Sequence, residues 1–155
     1  MSLDDVLIDR ADAERTLRMS PDVAAVILDH ARGCVPDECC GLLLGSGAVV
    51  HKVWPARNEV ASPTRYRVDP RDYVAAARYG RVHGLDVIGA YHSHPVSRAI
   101  PSPTDLAESA GEGFVYLIAG RVALPPYKAE LRAYRCVSGN FVELSIVTDA
   151  QENVP

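Results

Sequence analysis

Apolar and polar positions along this chain switch between two periods, and the switches mark its elements. Thr16 to Met19 reads as a short first strand. Ser20-Pro21-Asp22 then offers a helix N-cap, a proline at the first helical position and an early acid, and the run through Val23, Ala24, Val26, Ile27 and Ala31 predicts a helix stopping near Gly33. Cys39 to Leu44 and Val49 to Trp54 predict two strands, turned into a hairpin by Gly45-Ser46-Gly47. Pro55 to Val68 has little periodicity and contains Pro63, so it reads as a loop. Asp69-Pro70-Arg71-Asp72 repeats the cap-and-proline start and opens a second helix through Tyr73, Val74, Ala77 and Val82 toward Gly84.

The apolar run from Leu85 to Tyr91 predicts a buried strand with His92 and His94 near its C-terminal end. Strand side chains repeat every second residue, so both imidazoles point to one face and Ser93 to the other. Pro95 lacks an N–H and discourages the ladder from continuing. A third helix start lies at Ser102-Pro103-Thr104-Asp105 and predicts a helix to about Ala110. Strands follow at Phe114 to Ala119, Lys128 to Cys136 and Phe141 to Val147, with a turn at Leu124-Pro125-Pro126. The pattern is α/β: a mixed, partly antiparallel central sheet flanked by about three helices, since the hairpins exclude an all-parallel sheet.

Length and composition narrow the class. With 155 residues, one domain is expected, large enough to bury ~68–70% of its unfolded surface without disulfides. Residues 1–15 are expected to form a flexible N-terminal arm, 16–148 the domain and 149–155 a C-terminal tail. A net charge of -4 and a charged fraction of 23% speak against nucleic acid or an anionic membrane as partner. The acidic start (Asp4, Asp5, Asp9, Asp12, Glu14) does not resemble a secretory signal, and no apolar run is long enough for a membrane helix, so a cytoplasmic protein is expected. Cys34, Cys39, Cys40 and Cys136 lack paired C-x2-C spacing and read as small buried hydrophobes. A reactive thiol at Cys39 or Cys40 is the alternative; as neighbours on a strand they face opposite sides.

The chemistry concentrates in His92-Ser93-His94-Pro95 and the Ser102-Pro103-Thr104-Asp105 that follows. Two imidazoles fixed by one short peptide need a third ligand, and a carboxylate completes an N,N,O set that leaves zinc's fourth position open for water, as in catalytic sites. Asp105 is the candidate. It is also what a helix start places at its third position, and the two readings coexist, because the helix holds the carboxylate in a fixed orientation. By chance such a spacing arises roughly once in a thousand chains of this composition. His30, His51 and His83, on predicted helices and a strand, read as structural or surface residues.

At this point the residues resemble the JAMM, or MPN+, zinc metalloproteases, whose motif is an upstream Glu and then H-x-H-x7-S-x2-D. The upstream segment Pro36-Asp37-Glu38-Cys39-Cys40-Gly41-Leu42-Leu43-Leu44-Gly45 is similar to the family's E-x-x-G-L-L-L-G strand, and Asn58-Glu59 and Ser62 to Asp69 resemble bacterial stand-alone members. The resemblance spans about residues 16 to 148. It implies a single MPN/JAMM domain of cytidine-deaminase-like architecture, and one Zn2+ per chain, with a bound water, on His92, His94 and Asp105. It further implies Glu38 as general base and Ser102 as donor to the oxyanion.

The same resemblance implies hydrolysis of a peptide or isopeptide bond after the C-terminal Gly-Gly of a ubiquitin-like sulfur-carrier protein, for example release of cysteine from a carrier-cysteine adduct, with the tail laid along an edge strand. A JAMM deubiquitinase-like protease acting on another conjugate and a non-catalytic MPN scaffold are the alternatives, and self-association is left open. Trp54, Tyr66 and Arg67 are candidates either for substrate contact or for packing. A zinc deaminase is a poor fit: His94 stands where its H-x-E motif needs Glu, and only Cys136 lies downstream for P-C-x-x-C.

Overall fold

The computed structural model describes residues 14–109 and 111–149, so the expected N-terminal arm as far as residue 13 and the tail from residue 150 lie outside the described residues. Seven strands follow in chain order: β1 (Thr16–Met19), β2 (Cys40–Ser46), β3 (Val49–Ala56), β4 (Asp86–His94), β5 (Val115–Gly120), β6 (Glu130–Val137) and β7 (Asn140–Thr148). The helices are α1 (Pro21–Cys34), α2 (Pro70–His83) and α3 (Pro103–Ala107), and a turn of 3-10 helix at Pro126–Lys128 continues the predicted turn through Lys128, so β6 starts at Glu130 rather than at the predicted Lys128. The helix starts follow from local chemistry: Val23 N–H donates to the Ser20 hydroxyl and Arg71 N–H to the Asp69 carboxylate, with proline in the first turn of each helix.

The sheet is mixed, as expected, and it closes on itself in the order β1-β3-β2-β4-β5-β6-β7. β1 makes the closure by pairing in parallel with both β3 and β7. The ring therefore has no terminal strand, but β1 pairs with β3 only at Val49 and Val50, so among the described residues β3 from His51 to Ala56 has a strand partner on one side alone. The metal-motif strand β4 sits inside the ring, antiparallel to β2, with Cys40 opposite His92, and parallel to β5, with His94 opposite Gly120.

Period-two alternation sorts the side chains. Leu43, Tyr91 and Cys39 enter the main core with Leu17, Met19, Leu117 and the buried face of α1, which is Val23, Ile27 and Ala31. Leu42, Leu44 and Ala90 face the other way and pack with Ala76 of α2. His92 and His94 share the parity of Ala90, which puts them on the α2 side but beyond that helix. The four residues from which α2 is predicted do not form its buried face: Val82 is 79% exposed, Val74 47%, Tyr73 45%, and Ala77 is exposed too. Ala76, Gly80 and half-buried Tyr79 pack instead, because a close approach favours small residues; a Cβ at Gly80 would meet the carbonyl of Leu85. Smaller departures occur at turns. β2 runs through Ser46 so the hairpin turns at Gly47-Ala48, and α3 ends at Ala107, short of the predicted Ala110. No helix among the described residues is long and apolar enough to cross a membrane.

Candidate metal centre

β4 delivers two imidazoles to one point, and α3 brings a carboxylate to meet them. His92 Nε2 lies 3.2 Å from His94 Nε2 and 3.2 Å from Asp105 Oδ2, and His94 Nε2 lies 3.3 Å from that same oxygen. All three residues are shielded: His92 is 1% exposed, His94 6%, and the Asp105 side chain 10%. The local fold explains Asp105's aim. It closes a capping box in which its N–H donates to the Ser102 hydroxyl at 3.0 Å and the Ser102 N–H donates to Asp105 Oδ2 at 2.8 Å, so the helix start and the ligand position are one device.

The donor set fits a zinc ion. His94 Nδ1 faces the carbonyl of Arg98 at 2.8 Å; a carbonyl only accepts, so Nδ1 carries the proton and Nε2 presents a lone pair to the cluster. A lone pair, a second imidazole and a carboxylate oxygen at mutual distances of 3.2–3.3 Å attract a shared cation. The centre of such a triangle lies about 1.9 Å from each corner, just inside the ~2.0–2.1 Å of a zinc–nitrogen bond. The electrostatics agree. Burial opposes the Asp105 charge, but the two imidazoles beside it and the Ser102 backbone N–H hold its carboxyl well below the ordinary range. Burial pushes His92 down; in His94 burial is outweighed by Asp105, the Arg98 carbonyl and Glu38, which raise it.

Glu38 precedes β2 by two residues and is 5% exposed, not the solvated strand-end carboxylate that its position would otherwise suggest. Burial drives its carboxyl up to about 8, with His94 lowering and Asp105 raising it, and Oε2 is a buried atom without a hydrogen-bond partner among the described residues. The peptide around Glu38 is clamped on both sides. Its N–H donates to the Ser62 carbonyl at 2.9 Å, and its carbonyl accepts from Asn58 Nδ2 at 3.2 Å. Ser93, wholly buried between the two histidines on the opposite face, accepts from Cys39 N–H at 2.8 Å and ties the Glu38 segment to β4.

The roles of three contributors escape a reading of the sequence. Asn58 holds the 57–69 segment together: Nδ2 donates to the Arg65 carbonyl at 3.0 Å and Oδ1 accepts from Arg67 N–H at 3.0 Å, besides the bond to Glu38. Asparagine in a loop does bond backbone groups, but its partners are not legible locally. The Arg98 carbonyl has no residue-specific signature at all. Ser93 is visible only as the residue between two histidines.

The remaining candidates separate. Tyr66 stacks on the His92 ring at 4.4 Å between centroids and 17° between planes, so it covers a candidate ligand, and Trp54 packs against Tyr79 in the α2 core. Arg67 is exposed beside the cleft that holds Asp105. Cys39 lies in the main core and Cys40 on the histidine side; burial drives both thiols up to about 12, which leaves them protonated and unreactive at neutral pH. His30 Nδ1 pairs with the Tyr91 hydroxyl at 2.7 Å, His83 stacks on Tyr79, and His51 is exposed on β3, so these three stand apart from the cluster.

Comparisons with known proteins identify the family. The family described as prokaryotic homologs of the JAB domain matches residues 20–137. The chain is 33% identical over 140 residues to a desampylase of Haloferax volcanii, covering 86% of this chain and 96% of that protein. It is 32% identical over 124 residues to a CysO-cysteine peptidase of Mycobacterium tuberculosis, covering 79% and 84%. A solution structure of a protein from Desulfitobacterium hafniense superposes with a TM-score of 0.79 at 28% identity, covering 88% of this chain and 95% of that one. The chain belongs to the prokaryotic JAB-domain family of JAMM/MPN metallopeptidases.

Proposed function

We propose that this protein is a zinc-dependent peptidase that hydrolyses the bond after the C-terminal Gly-Gly of a ubiquitin-like sulfur carrier. The observation that carries the reading is the convergence of His92 Nε2, His94 Nε2 and Asp105 Oδ2 on one shielded point beside a buried carboxylate of raised pKa. The names of the Haloferax and Mycobacterium relatives supply the substrate class.

His92, His94 and Asp105 would hold a zinc ion, which when bound would supply a Lewis acid able to lower the pKa of water to ~7 and polarise a carbonyl. Glu38 is the general base. It stands beside the cluster where, as carboxylate, it takes the proton of the attacking water and hands it to the departing amine, and its clamped backbone keeps it in place for both transfers. Ser102 accepts the Asp105 N–H with its hydroxyl oxygen, and the hydroxyl proton, given to no acceptor among the described residues, is turned to the oxyanion of the tetrahedral intermediate. Tyr66 and the 57–69 segment exclude water from the His92 side. The C–N bond breaks, the carrier keeps the water's oxygen as a carboxylate, and the amine leaves protonated.

The test is hydrolysis of a carrier ending in Gly-Gly-Cys by zinc-loaded protein, read as release of cysteine by mass spectrometry. Release by wild type and a loss of about 10²–10⁴-fold in Glu38→Gln are expected. Retention of full activity by Glu38→Gln would sink the assignment of the base.

A further inference from the structure

The cleft that includes Asp105 is a cavity of about 330 Å3, at the small end of ligand pockets (~300–1,000 Å3). Tyr66, Val60 and Val68 give it apolar lining, and the two cationic residues Arg65 and Arg67 also line it. A Gly-Gly tail offers only neutral amides and needs neither cation. The arginines' present partners are weak. Arg65 reaches Glu108 at 3.1 Å with both side chains more than half exposed (61% and 53%), a solvent-screened pair. Arg67 Nε stands 3.9 Å from Glu59, beyond hydrogen-bond distance, and its guanidinium donates no hydrogen bond among the described residues. A planar donor fork without a bonded acceptor, beside the candidate scissile centre, matches a carboxylate.

The chemistry of the leaving side then discriminates between two kinds of conjugate. When the leaving group is a single amino acid, its α-carboxylate is held one carbon from the scissile nitrogen. When the leaving group is a lysine side chain of a folded protein, that position holds only methylene groups. Resting on the peptidase reading above, we infer that this cleft is the leaving-group subsite, in which Arg67, assisted by Arg65, binds the free α-carboxylate of a single amino acid. The enzyme is thereby directed to trimming an amino acid from a carrier tail rather than to splitting lysine isopeptides. Water is the only co-reactant: its oxygen stays on the Gly carbonyl carbon, and the amino acid departs with the proton on its amine.

The experiment uses one ubiquitin-fold carrier in three forms: Gly-Gly-Cys as free acid, Gly-Gly-Cys as carboxamide, and Gly-Gly joined to a lysine Nε. Zinc-loaded wild type is expected to cleave the free acid with a kcat/KM about tenfold above the other two, the size of one charge-assisted hydrogen bond. Arg67→Gln is expected to erase most of that preference through KM for the acid, and Arg67→Lys to restore part of it. Equal cleavage of acid and carboxamide, or a preference for the lysine-linked form, overturns the subsite. Failure of all three probes would instead overturn the peptidase reading, and binding would then decide the subsite alone. Calorimetric titration of Glu38→Gln with the two Gly-Gly-Cys carriers should show tighter binding of the acid, weakened by Arg67→Gln; equal affinities overturn it.

Discussion

At the scale of single residues, the site depends on groups held where water would not leave them. Glu38 has its carboxyl pushed up to about 8 by burial, so in metal-free protein the folded state holds a proton that the unfolded chain, at its ordinary 4.5, releases. Between those two values the folded state binds more protons than the unfolded one, and stability falls as pH rises from about 4.5 to about 8. Chelated wild type should lose Tm across that window, and Glu38→Gln should flatten the slope; an unchanged slope in the variant would place the titration elsewhere. Asp105→Ala removes both the third ligand and half of a capping box, so elemental analysis should find the zinc gone, with the protein still folded by circular dichroism.

At the scale of elements, the segment between β3 and α2 fastens the base to the fold. Asn58→Ala deletes the bonds to the Glu38 and Arg65 carbonyls and to the Arg67 N–H, at a cost of about 1–3 kcal/mol where those groups are left unpaired. The expected signature is a larger fall in kcat than rise in KM, with faster amide exchange across residues 57–68; slow exchange there would contradict the role. The start of α2 gives an acid-side counterpart. Hydrogen bonds from Arg71 hold Asp69 at about 2, so this cap's contribution is present above its ordinary 3.8 and is lost as pH falls toward 2. Asp69→Asn should therefore lower Tm at pH 7 and lose that difference near pH 2.

The strands and helix starts were legible because alternation and cap-proline signatures are local. The face of α2 was not, because Ala76 and Gly80 pack by being small, while the larger Val74 and Val82 of the same helix remain in solvent. The ligand candidates stood out for a similar reason. His92, His94 and Asp105 lie within one stretch at a fixed spacing, whereas Asn58, Ser93 and the Arg98 carbonyl act through partners far away in the chain or through backbone.

At the scale of the whole molecule, barrel closure was the least legible feature, since β1 pairs with β3 and β7 across distances that no local pattern encodes. Within the ring β4 sits between β2 and β5, which fixes the histidine pair in register. The loop after His94 crosses over β5, where a Cβ at Gly120 would run into the Ala99 backbone, and this crossing brings the Arg98 carbonyl to His94. Core and site are thus separable: Ile27→Ala, in the fully buried face of α1, should cost about 2–5 kcal/mol in denaturant unfolding while leaving zinc content intact. Concerted loss of zinc there would contradict the separation. The central claim is the metal, and it is tested most directly by zinc stoichiometry in freshly purified protein, without added metal, beside His92→Ala. About one zinc per chain in the wild type and almost none in the folded variant is the predicted result; a folded wild type that holds no zinc and takes up none on reconstitution would contradict it.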